Sequence, residues 1–360
     1  MCRFLIFKGT DPILLAHLLT RPAHSIINQS YDSRLRLDTR RPINGDGFGV
    51  GYYPNNRNDP ELSDGGPCVY CAITPAWNNV NLERLADKTK SDLIFAHVRA
   101  STAGILSESN CHPFVYHTLM FMHNGNVSCF ERIKKRLADH VREKYFLIVQ
   151  GGTDSEWVFS LFLDCLETLG ADPSAKNGKF DPKMLRQALL NAIEYIKDWT
   201  KEANVPPNEP SLLNIAITDG DSVVVSRYVT SKTEEAASLH FSSGTRFFEY
   251  SPGQYRMERR DKGQNIIMVA SEPLTFERND WITIPTNTIL TIKGQTVLIH
   301  PILDEYHQPD PSVTRSSGFA ESKGLVSAMP VETSTGDVPP LEREGRRRDS
   351  LVASSIASCA

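Results

Sequence analysis

The stretch PKMLRQALLNAIEYIKDWTKEA, residues 182–203, constrains the fold more than any other part of the chain. Leu185, Leu189, Ala192, Ile193, Ile196 and Trp199 recur at helical spacing, which predicts a long amphipathic helix with one apolar face to bury. NVPPNEP ends it, because proline cannot continue the helical ladder. Strand-like runs stand on both sides in sequence. CRFLIFKG, GFGVGYYP, PCVYCAI, DLIFAHVRAST and TLMFMHNGNV precede it. LLNIAITDGDSVVVSRYV follows as a hairpin about an Asp-Gly turn, and LHFSSGTRFFEY, NIIMVASEPL and WITIPTNTILTIK continue the β pattern. Three further helices are predicted. VNLERLADKTK carries Leu82 and Leu85 on one face, and FERIKKRLADHVR follows the strand that ends near 127. DSEWVFSLFLDCLETLG starts with Asp154 or its neighbour as N-cap, and its nearly continuous apolar body predicts burial. Helices in the middle with strands on either side give an α+β chain, two sheets packed between helices.

Bulk composition narrows the function classes. A hydrophobic content of 40% and a formal net charge of −4 suit a globular chain and favour neither nucleic acid nor an anionic membrane as partner. No run approaches the roughly 20 apolar residues of a membrane span. Phe4–Phe7 is too short an apolar run for a secretory signal. Seven cysteines at irregular spacing then read as reduced thiols, which predicts a cytoplasmic protein. Apolar periodicity stops near Tyr306, so residues 2–306 are expected to fold as one domain and 307–360 to form a disordered tail. Within it, RRRDS sets three arginines ahead of Ser350, either a basic-directed phosphorylation site or a solvated charge cluster.

Several short stretches can carry chemistry. Cys2 stands directly behind the initiator methionine; it either begins a buried strand or, once Met1 is removed, offers a thiol and a free α-amine on one residue. Cys68 and Cys71 have metal-ligand spacing but no second pair, and they sit in a strand. The glycines of NGDGFGVGYY precede a strand instead of opening a helix, so a close backbone approach explains them better than a nucleotide loop. Arg99 leaves a buried strand and needs an anion, either a structural partner or a bound carboxylate. Asn124-Gly125 reads as a hairpin turn or as two adjacent donors for an oxyanion. Asp154 either caps its helix or holds an ammonium group.

Taken together and in this order, Cys2, R-A-S-T-A-G, N-C-H-P-F, H-N-G and T-D-S-E resemble the class II glutamine amidotransferases, N-terminal-nucleophile hydrolases with a four-layer α-β-β-α sandwich. MCRFLIFKG, LLTRPAHSIINQS, NGDGFGVGYYP, AITPAWNN and FAHVRAST look like a single-domain branch, the fungal amidotransferase-like subunits of the cytosolic glutathione-degrading complex. The likeness continues through SRYVTSKTEEAASLHF and VASEPLTFER to PPLEREGR. The resemblance implies Cys2 as nucleophile, with the Asn124 side chain and the Gly125 N–H as oxyanion donors. It implies Arg99 as clamp on the substrate α-carboxylate and Asp154 on its α-ammonium. Thr102 and His112 stand where the family lines the glutamyl pocket. Ala100 and Ala103 replace the Trp and His that members often carry, which implies more room near the γ-substituent. No metal or cofactor enters the scheme, and a metallopeptidase-like partner subunit does. The expected activity is hydrolysis of the γ-glutamyl bond of glutathione or a related compound through a thioester on Cys2. The alternatives are a glutaminase subunit feeding ammonia to a separate synthase, or a degenerate regulatory or scaffold subunit.

Overall fold

In chain order the strands are β1 (Arg3–Leu14), β2 (Phe48–Tyr52), β3 (Cys68–Ala72), β4 (Lys90–Val98), β5 (Phe114–Tyr116), β6 (Leu119–Asn126), β7 (Leu212–Thr218) and β8 (Ser222–Arg227). Then come β9 (His240–Gly244), β10 (Arg246–Ser251), β11 (Gln254–Glu258), β12 (Ile266–Ala270), β13 (Ile282–Thr283), β14 (Thr288–Lys293) and β15 (Thr296–Pro301). The helices are α1 (Ala16–Leu19), α2 (Ile26–Tyr31), α3 (Val80–Ala86), α4 (Phe130–His140), α5 (Glu143–Phe146), α6 (Asp154–Thr168), α7 (Pro182–Glu202) and α8 (Gly318–Ser322). This computed structural model describes residues 2–37, 43–57, 59, 61–62, 64–101, 106–176, 178–260, 263–310 and 312–330.

The strands form two antiparallel sheets, one ordered β13-β9-β12-β1-β4-β2-β3 and the other β15-β14-β8-β7-β6-β5, with β10-β11 as a separate hairpin. Period-two alternation sorts their side chains into layers. Phe4, Ile6, Phe95 and Val269 of the first sheet meet Met120, Met122, Val225 and Ile292 of the second, making a core between the sheets. The intervening residues point outward. Leu5, Phe7, Ile94 and Met268 pack under α1, α2 and α3, and Phe121, Ile215, Ile217 and Val224 pack under α4, α6 and α7. The result is the expected four-layer α-β-β-α sandwich.

The long helix behaves as its sequence predicts. Asp181 caps α7 by accepting from the Lys183 N–H, Pro182 occupies the first turn, and the predicted stripe from Leu185 to Trp199 is buried. In α6 every residue from Ser155 to Leu166 is buried. None of the described helices is long and apolar enough to cross a membrane.

The domain boundary near Tyr306 does not hold, because the folded chain runs on through residues 312–330. Ala320, Leu325 and Val326 are buried with Leu212, Val229, Ala236 and Ala237. Beyond these few apolar side chains the segment is held through backbone and serine hydrogen bonds and by Arg315, whose guanidinium donates to the carbonyls of Ser231, Glu234 and Tyr306, so it has no periodicity to read. Residues 331–360, with Ser350, lie outside the described residues.

Candidate active site

Antiparallel pairing assembles the site. β1 is the central strand of its sheet, flanked by β4 and β12, with Arg3 opposite Val98 and Leu5 opposite Ala270. The start of β1 therefore lies beside the exits of β4 and β12, which brings Cys2 next to Arg99–Ser101 and next to Ser271–Glu272. The Cys2 Sγ stands 4.0 Å from the Ala100 carbonyl. Across the gap between the sheets, the exit of β6 supplies Asn124, Gly125 and Asn126.

A cleft of about 530 Å³ opens here, and Cys2, Arg99, His112, Gly125 and Asp154 all line it. It falls inside the about 300–1,000 Å³ range of small-molecule sites. A second cleft of about 570 Å³, at the C-terminal end of α7 near Lys201 and Thr230, brings together none of the predicted site residues. Thr102 lies outside the described residues.

Arg99 is buried at 4% exposure. Its guanidinium reaches the Ser101 hydroxyl at 3.1 Å and the Asp46 carbonyl at 3.5 Å, and no carboxylate among the described residues lies within ion-pair distance of it. Its backbone is fixed by the Arg99 N–H donating to the Gly47 carbonyl, at 2.8 Å, and the Asp46 carboxylate accepts from the Ser101 N–H at 2.7 Å. A buried fork lacking a carboxylate is ready for one.

Asp154 does not cap α6. Thr153 does, accepting from the Glu156 N–H, while the Glu156 carboxylate accepts from the N–H groups of Gln150 and Gly151. Asp154 is then the first helical residue, where its carboxylate accepts from the Val127 N–H at 2.7 Å and the Ser155 N–H at 2.8 Å. One hydrogen bond each from the end of β6 and the start of α6 hold an acidic group on the cleft wall.

Asn124-Gly125 is not a hairpin turn. Both residues continue β6, paired with Asn214 and Leu213 of β7. A Cβ at Gly125 would lie 1.8 Å from the Leu212 carbonyl oxygen, so only glycine lets the strands approach this closely. Asn124 lies behind the cleft wall at 1% exposure, and its Nδ2 donates to the Ser271 hydroxyl at 2.9 Å, while Oδ1 is buried without a partner.

His112 is held against β2 by another glycine, since a Cβ at Gly49 would sit 2.0 Å from the His112 carbonyl oxygen. Its ring lies 4.2 Å from that of His97, a residue the sequence reading passed over although it stands two positions before Arg99 on β4. Burial, reinforced by Arg99, lowers the His97 pKa to about 3, and burial with the neighbouring His97 drives His112 well below its usual value. Both rings are neutral near pH 7. Burial also pushes the Cys111 thiol up to about 11 and the Cys71 and Cys165 thiols up to about 12, which removes them as nucleophiles. Cys68 and Cys71, three residues apart on β3, project to opposite faces of the strand.

The family model for class II glutamine amidotransferases matches residues 16–313. The Saccharomyces cerevisiae protein described as probable glutamine amidotransferase DUG3 is 64% identical over 360 residues, covering 99% of this chain and 100% of that one. The γ-glutamyl-hercynylcysteine sulfoxide hydrolase of Mycobacterium tuberculosis is 30% identical over 129 residues, which are 35% of this chain and 50% of that protein. The solved structure of a glutamine aminotransferase class-II domain protein from Silicibacter pomeroyi shares the fold, with TM-score 0.52 at 23% identity over 84% of this chain and 100% of that one.

Proposed function

Since this chain belongs to the class II glutamine amidotransferases, we propose that it hydrolyses the γ-glutamyl bond of glutathione or a related γ-glutamyl compound, with Cys2 as nucleophile. The observation that carries this reading is the convergence on one cleft of Cys2, Asp154 and the Arg99 guanidinium, which meets no carboxylate among the described residues. Two oppositely charged groups suit the α-carboxylate and α-ammonium of a glutamyl head, and an amino-acid head held at both ends delivers its γ-carbonyl to a fixed place.

Removal of Met1 frees an α-amine with an ordinary pKa of about 7.7–8.0. That amine is the base. A neighbouring imidazole is a poor substitute, because protonating His97 or His112 would put a cation into a buried site beside Arg99. The amine takes the Cys2 thiol proton, and the thiolate adds to the γ-carbonyl carbon. Charge develops on the carbonyl oxygen, where the Gly125 N–H and the Asn124 amide donate. For Asn124 this needs its amide turned about the terminal bond, so that Oδ1 accepts from the Ser271 hydroxyl and Nδ2 takes the place of the unpartnered Oδ1. A hydroxyl can serve either way. Collapse expels the amine of the leaving group, which takes the proton from the α-ammonium of Cys2. Water then cleaves the γ-glutamyl thioester, releasing glutamate and restoring the thiol.

Support for a substrate larger than glutamine comes from the size of the cleft and from Ala100 on its wall. The name of the M. tuberculosis relative places a γ-glutamyl bond in that enzyme's substrate. The six described cysteines are free thiols, which fits action in the reducing cytoplasm. The same reading includes a metallopeptidase-like partner subunit. The test gives full-length protein, with and without that partner, glutathione or glutamine and measures glutamate release. Intact mass reports loss of Met1 and a γ-glutamyl adduct. Release from glutathione, abolished in Cys2→Ala, is the expected result. Release from glutamine alone favours the ammonia-supplying role, and release that survives Cys2→Ala overturns the mechanism.

A further inference from the structure

The residue after the nucleophile is an arginine, and it is almost wholly enclosed. Arg3 is 1% exposed; its Nε meets the Glu272 carboxylate at 3.0 Å, and its Nη1 donates to the Cys2 carbonyl at 3.1 Å and to the Gly324 carbonyl at 3.2 Å. Glu272, at 0% exposure, also accepts from the Ser33 hydroxyl and the Leu35 N–H, and it lies 3.0 Å from His24 Nε2. Burial alone would raise its carboxyl, but His24, Arg3 and Ser33 outweigh that and hold it well below the usual carboxylate range. The group facing Arg3 is therefore an anion.

Gly324 belongs to the segment after α8, beyond the residues the family model matches. The same segment reaches, from behind, the serine that holds Asn124. Ser327 Oγ donates to the Ser271 carbonyl at 3.2 Å and stands 3.1 Å from His240 Nε2. The Ser271 hydroxyl in turn accepts from the Phe4 N–H at 3.1 Å and the Asn124 amide at 2.9 Å. The segment is itself laced down, with the Ser238 N–H donating to the Leu325 carbonyl, the Ser327 N–H to the Ser238 hydroxyl and the Ala328 N–H to the Leu35 carbonyl.

We infer that residues Gly324–Ser327 form a positioning strap, which fixes Cys2 through Arg3 and Asn124 through Ser271. The strap makes no contact with the cleft, so neither Arg3 nor Ser327 is a catalytic residue. It sets the separation between the nucleophile on one sheet and the oxyanion donor on the other. The inference rests on the reading of Cys2 and Asn124 under Proposed function.

Arg3→Lys keeps the charge but has no fork to join Glu272, Cys2 and Gly324, and Ser327→Ala removes one hydroxyl. Both are made in the full-length protein. Each is expected to lower kcat for glutamate release by about tenfold to a hundredfold, the scale set by small misplacements of reacting groups. KM should stay within about twofold in both, and for Ser327→Ala Tm should stay within a few degrees, on the order of one hydrogen bond lost. Hydrogen exchange in the peptide carrying Cys2–Phe7 should quicken while the peptides of α7 are unchanged. Parent kcat in both variants overturns the strap, as does a loss of activity that only follows loss of folded protein. If the parent releases glutamate from no γ-glutamyl compound, the functional reading has failed instead, and exchange at Cys2–Phe7 still decides the strap: quickened exchange supports it and parent exchange overturns it.

Discussion

Asn124 of β6 and Ser271, just past β12, are joined across the two sheets by a 2.9 Å hydrogen bond. The same Ser271 hydroxyl accepts the Phe4 N–H from the strand that carries Cys2. A single buried hydroxyl thus ties the nucleophile's strand to the residue assigned to the oxyanion. Ser271→Ala leaves two buried polar groups, the Phe4 N–H and the Asn124 amide, without this partner, at about 1–3 kcal/mol each in desolvation. The expected result is a lower denaturation midpoint together with a kcat reduced on the order of tenfold or more and a KM near the parent's. A kcat equal to the parent's would show that the tie serves stability only.

Arg99→Lys tests the clamp. A lysine ammonium supplies the charge, but not the planar pair of donors that matches a carboxylate. Losing one charge-assisted bond of about 1.5–3 kcal/mol should lower kcat/KM for a γ-glutamyl substrate about 10- to 100-fold. Steady-state kinetics check this, and a substrate analogue lacking the α-carboxylate should show no difference between parent and variant. If both substrates lose equally, Arg99 holds the loop at Asp46 instead of the ligand.

Gly125→Ala tests the strand approach. The added methyl would stand 1.8 Å from the Leu212 carbonyl oxygen, an oxygen that lies 2.9 Å from His123 Nε2. The backbone has to move, so the cost should exceed the about 1–3 kcal/mol of ordinary overpacking. Urea denaturation checks it; a midpoint like the parent's would mean that β6 and β7 separate here without penalty.

The sequence carried different parts of the molecule unequally. Elements with a long periodic pattern were legible: α7 has its apolar stripe from Leu185 to Trp199, and β1, β4 and β6 stand out as apolar runs. Their alternation sufficed for the layers, since period two leaves no choice about which side chains face the second sheet. Cys2, Arg99, His112, Gly125 and Asp154 were legible as members of a motif set, and pairing of β1 with β4 brings two of them together. Arg3, Glu272 and Ser271 were not, although VASEPL was in view as a strand. An Arg beside an apolar run looks like a solvated charge until its partner, 269 positions away, is known. The strap at Gly324–Ser327 was illegible for a related reason, since backbone carbonyls and single hydroxyls hold it and leave no compositional trace. Asn124-Gly125 misled as a turn because that dipeptide favours one locally, and pairing with β7 overrode the preference.

Acid should destabilise the fold well before most carboxylates titrate. His97 and His240 are buried with pKa values lowered to about 3, by burial first and then by Arg99 and Arg227 respectively, and burial with the neighbouring His97 also holds His112 well below its usual value. In the unfolded chain each titrates near 6.5. Above that both states are neutral and the stability is fully present. Between about 6.5 and 3 the unfolded chain binds protons that the folded one refuses, so stability falls as pH falls, by about 1.4 kcal/mol per pH unit for each histidine. Below about 3 the folded His97 and His240 also protonate, and their share of the loss levels off. Urea midpoints measured from pH 7 to pH 4 should show this slope, and His97→Asn should reduce it by one proton whatever its effect on stability at pH 7. An unchanged slope in that variant would mean that His97 takes up a proton in the folded state as readily as in the unfolded chain, and the neutral pair behind Cys2 would have to be abandoned.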